Sequence, residues 1–137
     1  MPPPRHRAAA VVTDPGIAAS ELLGRLRAAL GALPQELHHG TLNAVLLPEV
    51  LRFNADHVGG EMARLAQALG LHAGADVADA IAALNARLGL PQGPGAMGAP
   101  RDAFPHIAAA ATRDHCHATN PRPATAADYL GLLERSW

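Results

Sequence analysis

Hydrophobic residues recur along the chain at intervals of three and four positions, which is the spacing of an amphipathic helix. The first such series begins after Asp14-Pro15, where aspartate suits an N-cap and proline suits the first helical position. The series ends before Pro34, and its members are Leu22, Leu23, Leu26, Leu30 and Leu33. The pattern predicts a first helix of about four turns.

Five further segments have the same periodicity, and each is predicted to be helical. Pro48 lies inside the first of them and should kink it, because proline removes one backbone hydrogen bond. The second and third segments are expected to form an antiparallel pair. The predicted helices run from Gly40 to about Phe53, from Val58 to Leu69, from Val77 to Leu88, from Arg101 to about His117, and from Thr125 onward.

Glycine and threonine mark several predicted helix ends. Gly70 and Gly89 follow two of the helices at the position where a left-handed cap is favoured. The hydroxyl of Thr125 is expected to accept the backbone N–H of Asp128, in a capping box with aspartate in place of glutamate. The segment from Gly89 to Pro100, GLPQGPGAMGAP, is predicted to be an ordered loop or a local linker.

No segment has the alternating valine, isoleucine and threonine pattern of a strand, so a sheet is not expected. The sequence predicts an all-α fold, an irregular bundle of about six helices. Residues 1–13 are predicted to be a flexible proline-rich tail, and residues 14–137 a single helical domain.

Composition narrows the classes of function. The chain has 11 lysine and arginine residues against 12 aspartate and glutamate residues, and only 3% of it is aromatic, so nucleic-acid binding is not expected. Each apolar run is shorter than the roughly 20 residues that span a bilayer, and the N-terminal segment lacks a signal-peptide pattern. The single cysteine, Cys116, cannot form an internal disulfide. We therefore expect a cytoplasmic protein without membrane contact.

Two motifs resemble a known enzyme family. The stretch from His39 to Asn54, HGTLNAVLLPEVLRFN, is similar to the signature of the iron-containing (class III) alcohol dehydrogenases, in which a metal-ligand histidine and a glycine open a helix. The stretch from Ala118 to Leu133, ATNPRPATAADYLGLL, resembles the Asn-Pro-Arg turn and final helix of that family. The resemblance begins near Asp14 and covers only the family's C-terminal all-helical domain, which supplies the metal site. It does not include the family's NAD(P)-binding domain.

The resemblance implies one metal ligand in this chain. Family members bind Fe(II) or Zn(II) with one aspartate and up to three histidines, and the last of these corresponds to His39. The preceding loop is slightly longer than in the family, so His38 is the alternative. Two positions that hold histidine in the family are Gly24 and Ala28 in this chain, and neither can bind a metal. Because one imidazole does not make a tight site, His39 is interpreted as a remnant ligand.

A second group of metal-ligating residue types, His115, Cys116 and His117, could build a new metal site together with His38 and His39. However, side chains at i and i+2 of a helix point in different directions, so His115 and His117 would converge only beyond a helix end. The resemblance places Cys116 and His117 beside the family's substrate pocket, and that interpretation is preferred. The remaining histidines are assigned to solvation or helix capping: His6, His57, His72 and His106.

Asn120, Pro121 and Arg122 are expected to be structural. Asparagine can bond its own backbone, proline restricts the turn, and arginine can join helix ends. The glycine-rich stretch from Gln92 to Pro100 follows no predicted strand, so it does not satisfy the context of a dinucleotide-binding loop. No catalytic or cofactor-binding residue is assigned.

Two hypotheses of function follow. In the first, the chain is a stand-alone or truncated C-terminal domain of the family, inactive alone and without a cofactor of its own. It would act by association with itself or with a separate nucleotide-binding chain, and an exposed apolar face would favour a dimer. In the second, it is the metal-side subunit of a split NAD(P)-dependent alcohol dehydrogenase or maleylacetate reductase-like oxidoreductase. Gly24 and Ala28 favour the first hypothesis, because an active enzyme should have kept its ligand histidines.

Overall fold

The computed structural model describes residues 37–113 and 119–137, with only the backbone at His39. These residues form five α-helices: α1 (His39–Asn54), α2 (Glu61–Ala68), α3 (Val77–Arg87), α4 (Phe104–Ala111) and α5 (Ala126–Ser136). Short 3₁₀ turns occur at Ala55–His57, Gly95–Met97 and Arg101–Ala103. The predicted tail and the predicted first helix lie outside the described residues.

Helix α1 packs against both α3 and α5, and α4 packs against α5. Their apolar faces meet in one continuous core, because each helix repeats its large side chains every three or four positions. Full burial of one such side chain contributes roughly 1.5–3 kcal/mol. The largest fully buried side chains come from α1, α4 and α5: Leu42, Leu46, Val50, Phe104, Ile107, Tyr129, Leu132 and Leu133.

The all-α prediction is confirmed, since residues 37–113 and 119–137 contain helices and turns and no β-strand. Their five helices are slightly fewer than the six predicted for the whole chain. Among these helices, none has the length and apolar character needed to cross a membrane.

The helix ends predicted from glycine and threonine are confirmed. Gly70 and Gly89 both have a φ of 70°, in the left-handed region, and the next residue's N–H bonds back into the helix in each case. At the start of α5, the Thr125 hydroxyl accepts the N–H of Asp128 at 3.2 Å. The Asp128 carboxylate accepts the N–H of Thr125 at 2.8 Å, which completes the capping box.

The predicted start of α2 at Val58 was wrong, because the helix begins at Glu61. The chain leaves α1 through the 3₁₀ turn Ala55–His57, and Gly59 then adopts a φ of 55°. A left-handed residue interrupts the helical backbone, so the apolar periodicity across this point does not correspond to a continuous helix.

The helix predicted from Arg101 to about His117 was also too long. The α-helix α4 ends at Ala111, and residues 112–113 form a turn. The hydroxyl of Thr112 donates to the carbonyl of Ala109 at 2.8 Å, a local bond that competes with the helical backbone pattern.

The predicted pairing of α2 with α3 is a minor contact, because α3 packs mainly against α1. Helix α2 has only eight residues and buries one of them, Ala66. Its apolar surface is too small to serve as the main partner of α3, whereas the longer α1 offers a buried face over its whole length.

The segment between α3 and α4 is an ordered loop rather than a linker. Gly93 and Ala99 are buried in it. A β-carbon at Gly93 would overlap the backbone carbonyl of Ser136, and one at Gly95 would overlap the indole ring of Trp137. Glycine at both positions therefore lets the loop lie directly against the end of α5.

Candidate functional site

The N-terminus of α1 carries the two histidines of the signature motif. His38 is the N-cap residue, and its Nδ1 accepts the backbone N–H of Thr41 at 3.3 Å and lies 3.0 Å from the Thr41 hydroxyl. Because Nδ1 is used for capping, only Nε2 of this exposed ring remains for another partner. The side chain of His39, the predicted remnant ligand, lies outside the described part of the structure.

The C-terminus of α1 is joined to the Asn-Pro-Arg turn, residues 120–122, by two buried asparagines. Asn54 Nδ2 donates to Asn120 Oδ1 at 3.1 Å, and Asn120 Nδ2 donates back to Asn54 Oδ1 at 2.9 Å. Asn120 Nδ2 also donates to the carbonyl of Arg122. The two asparagines are 3% and 7% exposed, so their amides satisfy each other inside the protein rather than through solvent.

Arg122 contacts the same end of α1. Its Nη1 donates to the carbonyl of Phe53 at 3.2 Å, and its guanidinium carbon lies 4.0 Å from the centroid of the Phe53 ring. Carbonyl groups at a helix C-terminus lack helical partners and carry partial negative charge, so a cation stabilises them. Pro121, between the two bonding residues, restricts the backbone of the turn. The last two residues of the first motif and the turn of the second are thus one structural unit.

Pro48 leaves one carbonyl of α1 without its helical partner, and α3 supplies a donor. In a regular helix the N–H of residue 48 would bond to the carbonyl of Ala44, but proline has no N–H. Asn85 Nδ2 donates to this carbonyl at 2.7 Å. Helix α1 continues from His39 to Asn54 through the proline. The side chain of Asn85 therefore compensates for Pro48 and defines how α3 sits against α1.

Charged side chains connect α1, α3 and α5 at the surface. Glu49 accepts from Arg52 and from Arg135 Nε, the latter at 3.0 Å, and Arg52 also pairs with Asp79. The hydrogen bond with Asp79, followed by the effect of Glu49, raises the pKa of Arg52. Two carboxylates balance two guanidinium groups, so the cluster offers no net charge to an ionic ligand.

A cleft of about 950 Å³ opens beside α2 and the loop between α2 and α3. Its wall consists largely of alanine and glycine. Besides Gln67, the polar residues at its rim are used locally: Arg52 pairs with Asp79, His72 Nδ1 lies 3.1 Å from the carbonyl of Ala73, and Asp76 caps α3. The cleft thus has a suitable shape for a ligand but no converging polar groups that would select one.

The described side chains do not fit Fe(II) or Zn(II). Within residues 37–113 and 119–137, no three histidine, cysteine, aspartate or glutamate side chains come together as metal ligands, and a catalytic site needs about three from the protein. His38 has one ring nitrogen committed to Thr41. Gly24 and Ala28, at the family's histidine positions by resemblance, have no side-chain donor atom.

The predicted substrate-pocket residues Cys116 and His117, together with His115, lie outside the described residues, as does His6. Their roles stay predictions, and so does the alternative metal cluster. The other histidines lie on separate elements and are exposed: His57 in the first 3₁₀ turn, His72 in the loop before α3, and His106 in α4.

Sequence reasoning missed Asn54, Asn85 and Glu49 as bonding residues. A signal existed for Asn85, because a proline inside a helix leaves the carbonyl four residues earlier in need of a donor. No such signal exists for Asn54 and Asn120, which are 66 positions apart. Their pairing depends on how the helices pack.

Comparison with known proteins agrees with this architecture. A sequence profile described as Fe-containing alcohol dehydrogenase family, C-terminal, matches residues 24–137. The chain is 52% identical over 104 residues to a 4-hydroxybutyrate dehydrogenase of Cupriavidus necator, covering 73% of this chain and 27% of that enzyme. It is 35% identical over 107 residues to a lactaldehyde reductase of Escherichia coli (strain K12), covering 72% of this chain and 28% of that enzyme. The chain thus spans little more than a quarter of the length of these curated relatives.

The fold is also similar to part of a crystal structure of a 1,3-propanediol oxidoreductase. The TM-score is 0.79 with 26% sequence identity, and the match covers 85% of this chain and 32% of that chain. Sequence and fold therefore point to the same region of the same group of proteins.

Proposed function

The chain belongs to the iron-containing alcohol dehydrogenase family, and from this premise we propose that it is a helical domain of that family that acts by association and has no redox activity by itself. Its partner would be a second copy or a separate nucleotide-binding chain. The observation that carries the proposal is the continuous core formed by the described helices in a chain matching about a quarter of its relatives' length.

The contacts of the signature motifs support this proposal. The side-chain amides of Asn54 and Asn120 satisfy each other, Arg122 donates to the carbonyl of Phe53 near the C-terminus of α1, and Asn85 donates to the carbonyl freed by Pro48. These bonds need no nucleotide-binding domain. A domain whose inter-helix polar contacts come from within its own chain can persist as a folded unit and present a surface to another protein.

The set of metal ligands supports the absence of independent activity. By resemblance, His39 is the one inherited ligand in this chain, and Gly24 and Ala28 replace two histidines. A complete set of metal ligands and the NAD(P)-binding site would then have to be supplied by a partner. A cytoplasmic location stays a prediction from the sequence.

An activity assay tests the proposal directly. The untagged chain, incubated with Fe(II) or Zn(II), is mixed with NAD⁺ or NADP⁺ and with alcohols of the classes that its relatives' names indicate, 4-hydroxybutyrate and 1,3-propanediol. We expect no NAD(P)H formation above a blank without protein, while the 4-hydroxybutyrate dehydrogenase of C. necator serves as the positive control. Turnover by the chain alone that disappears in His39→Ala would contradict the proposal.

Metal content provides an independent measurement on the same samples. After removal of excess metal, we expect substoichiometric Fe or Zn that does not change in His39→Ala. About one equivalent per chain, lost in that variant, would mean that a site has been rebuilt and would also contradict the proposal.

The second candidate function is the metal-side subunit of a split NAD(P)-dependent oxidoreductase. The observation that favours it is the 52% identity to the 4-hydroxybutyrate dehydrogenase. A domain that no longer takes part in catalysis would be expected to diverge further in sequence. Co-expression with the N-terminal part of that dehydrogenase tests it. NAD(P)-linked activity that requires both chains, and that is lost in His39→Ala, would replace the first proposal with this one.

A further inference from the structure

Helix α3 has an apolar face that no other described residue covers. Its opposite face packs on α1, where Val77 and Ala78 are buried and Asn85 bonds to the carbonyl of Ala44. On the outer face, Leu84 is 46% exposed, and the C-cap residue Leu88, which follows the helix one turn after Leu84, is 64% exposed. Leu84 and Leu88 are four positions apart, so their exposed side chains are neighbours and form one apolar patch rather than isolated surface leucines.

The outer face of α3 consists of Asp76, Ala80, Ala83, Leu84 and Arg87. Successive members are four, three, one and three positions apart, so all five lie on one side of the helix. The face spans three turns, or roughly 16 Å at 1.5 Å per residue. It has an acidic end, a centre of small and apolar residues, and a basic end.

This arrangement of charges is complementary to itself. Two copies of α3 packed antiparallel about a two-fold axis near Ala80 and Ala83 would place Asp76 of one copy beside Arg87 of the other, twice. The alanines allow close approach of the helices, and Leu84 of each copy would lie over the alanines of its partner. Asp76 caps α3 through one carboxylate oxygen, which leaves the other oxygen for a partner. Arg87 takes part in none of the ion pairs of the described residues.

We propose that the outer face of α3 is a self-association surface and that its partner is α3 of a second copy of this chain. The proposal deepens the association stated under "Proposed function" by naming the surface and the partner. The net charge of −1 gives little repulsion between copies. A three-turn helix pair buries less area than a standard interface of about 1,600 Å², so the dimer should be weak, with a dissociation constant on the order of 10–1000 µM.

Sedimentation equilibrium of the 137-residue chain at increasing concentration tests this surface. We expect a reversible dimer whose dissociation constant rises at least about tenfold in Leu84→Glu, because a carboxylate would be buried against alanine. The matched control is Leu69→Glu, since Leu69 is 49% exposed but lies outside α3, and it should leave the constant unchanged.

A charge series tests the antiparallel arrangement. Arg87→Glu should weaken the dimer, because it faces Asp76 of the other copy with a like charge. Asp76→Asn keeps a good N-cap residue while removing that charge, so adding it to Arg87→Glu should recover part of the lost affinity. A structural effect on α3 alone would not produce this recovery. Circular dichroism checks that each variant keeps its helix content.

Three results would overturn the proposal: a monomer at about 1 mM, a dimer unaffected by Leu84→Glu and Arg87→Glu, or a dimer weakened equally by Leu69→Glu. The proposed absence of independent redox activity is measured separately by the NAD(P)H and metal assays. A monomer that is also inactive would reject this surface and leave a separate nucleotide-binding chain as the partner.

Discussion

Single polar side chains compensate for local breaks in the backbone pattern of this protein. Proline inside α1 would leave the carbonyl of Ala44 unbonded, and the amide of Asn85 donates to it. An unsatisfied carbonyl costs about 1–3 kcal/mol when it is fully buried, and the bond to Ala44 is partly buried, so the lower end of that range applies. A single asparagine on α3 can therefore make a measurable contribution to stability.

We predict that Asn85→Leu lowers the free energy of unfolding by about 1 kcal/mol, because the partly buried carbonyl of Ala44 loses its donor. In a Pro48→Ala background the restored N–H bonds to that carbonyl, so the same substitution should cost much less. Urea unfolding of the four proteins in this cycle measures the coupling. Equal losses in both backgrounds would show that Asn85 acts through packing alone.

A second prediction concerns the buried side-chain pair of Asn54 and Asn120. Asn120→Ala removes both partners of the Asn54 amide in the core, so the free energy of unfolding should fall by about 2–3 kcal/mol. The control is Gln67→Ala, which truncates an exposed amide on α2 and should change stability by less than about 0.5 kcal/mol. Similar losses in the two variants would contradict the importance of the buried pair.

At the scale of elements, helix α5 depends on its capping box and on the loop that lies against its end. The backbone N–H of Thr125 and, next, its hydroxyl donate to the Asp128 carboxylate and lower the pKa of Asp128 below its ordinary value of 3.8. A carboxyl with a lowered pKa stabilises the fold when ionised. The contribution is complete above the ordinary value and is lost as the pH falls through the lowered one.

We therefore predict that Asp128→Asn costs about 1 kcal/mol of stability near neutral pH, as the loss of a helix cap does. The difference from the unsubstituted chain should shrink as the pH falls below about 4, because protonation removes the same interaction. Thermal unfolding of both proteins from pH 6 to pH 2.5 measures this difference. A gap that stays constant over that range would show that the charge of Asp128 is not involved.

The loop contact gives a prediction about glycine. Gly93→Ala should destabilise the protein by about 1–3 kcal/mol, because its β-carbon would overlap the backbone of Ser136. Gly95→Ala should cost less, because the half-exposed ring of Trp137 can move aside.

Trp137 is the only tryptophan, so its fluorescence should shift to longer wavelength in Gly95→Ala as the ring becomes more exposed. Gly60→Ala is the control, since Gly60 has a φ of −75° and open space around it. An unchanged emission spectrum in Gly95→Ala would mean that the ring does not lie against the loop in solution.

At the scale of the whole molecule, α1 connects the parts of the described structure. It packs against α3 and α5, and its two ends carry the histidine cap and the bonds to the Asn-Pro-Arg turn. Glu49 adds ion pairs toward Arg52 on its own helix and Arg135 on α5. Because the core is continuous, the helices should not unfold independently.

We predict one cooperative unfolding transition for the 137-residue chain. Fluorescence of Trp137, at the end of α5, and circular dichroism of all helices should give the same midpoint in urea. A Trp137 transition at clearly lower urea would show that α5 separates from the rest before the core unfolds.

The helical class, the caps at Gly70, Gly89 and Thr125, and the family of the chain could all be predicted from the amino-acid sequence. These features depend on neighbouring residues or on short motifs, so local spacing and the conformational freedom of glycine are sufficient to predict them. The predicted boundaries of α2 and α4 were wrong, because apolar spacing does not show where the helical backbone is interrupted. Apolar spacing continues through Gly59, whose left-handed backbone precedes the start of α2, and through Thr112, whose side chain bonds back to Ala109 just after the end of α4.

Which polar groups meet depends on how the helices pack. The pairing of Asn54 with Asn120, the bond from Asn85 to Ala44 and the main packing of α3 on α1 join residues far apart in the chain. Their energies depend on the relative placement of whole helices, which no local pattern encodes. The uncovered face of α3 became visible for the same reason. A helix pattern shows which residues share a side, but only packing shows which side is left without a partner.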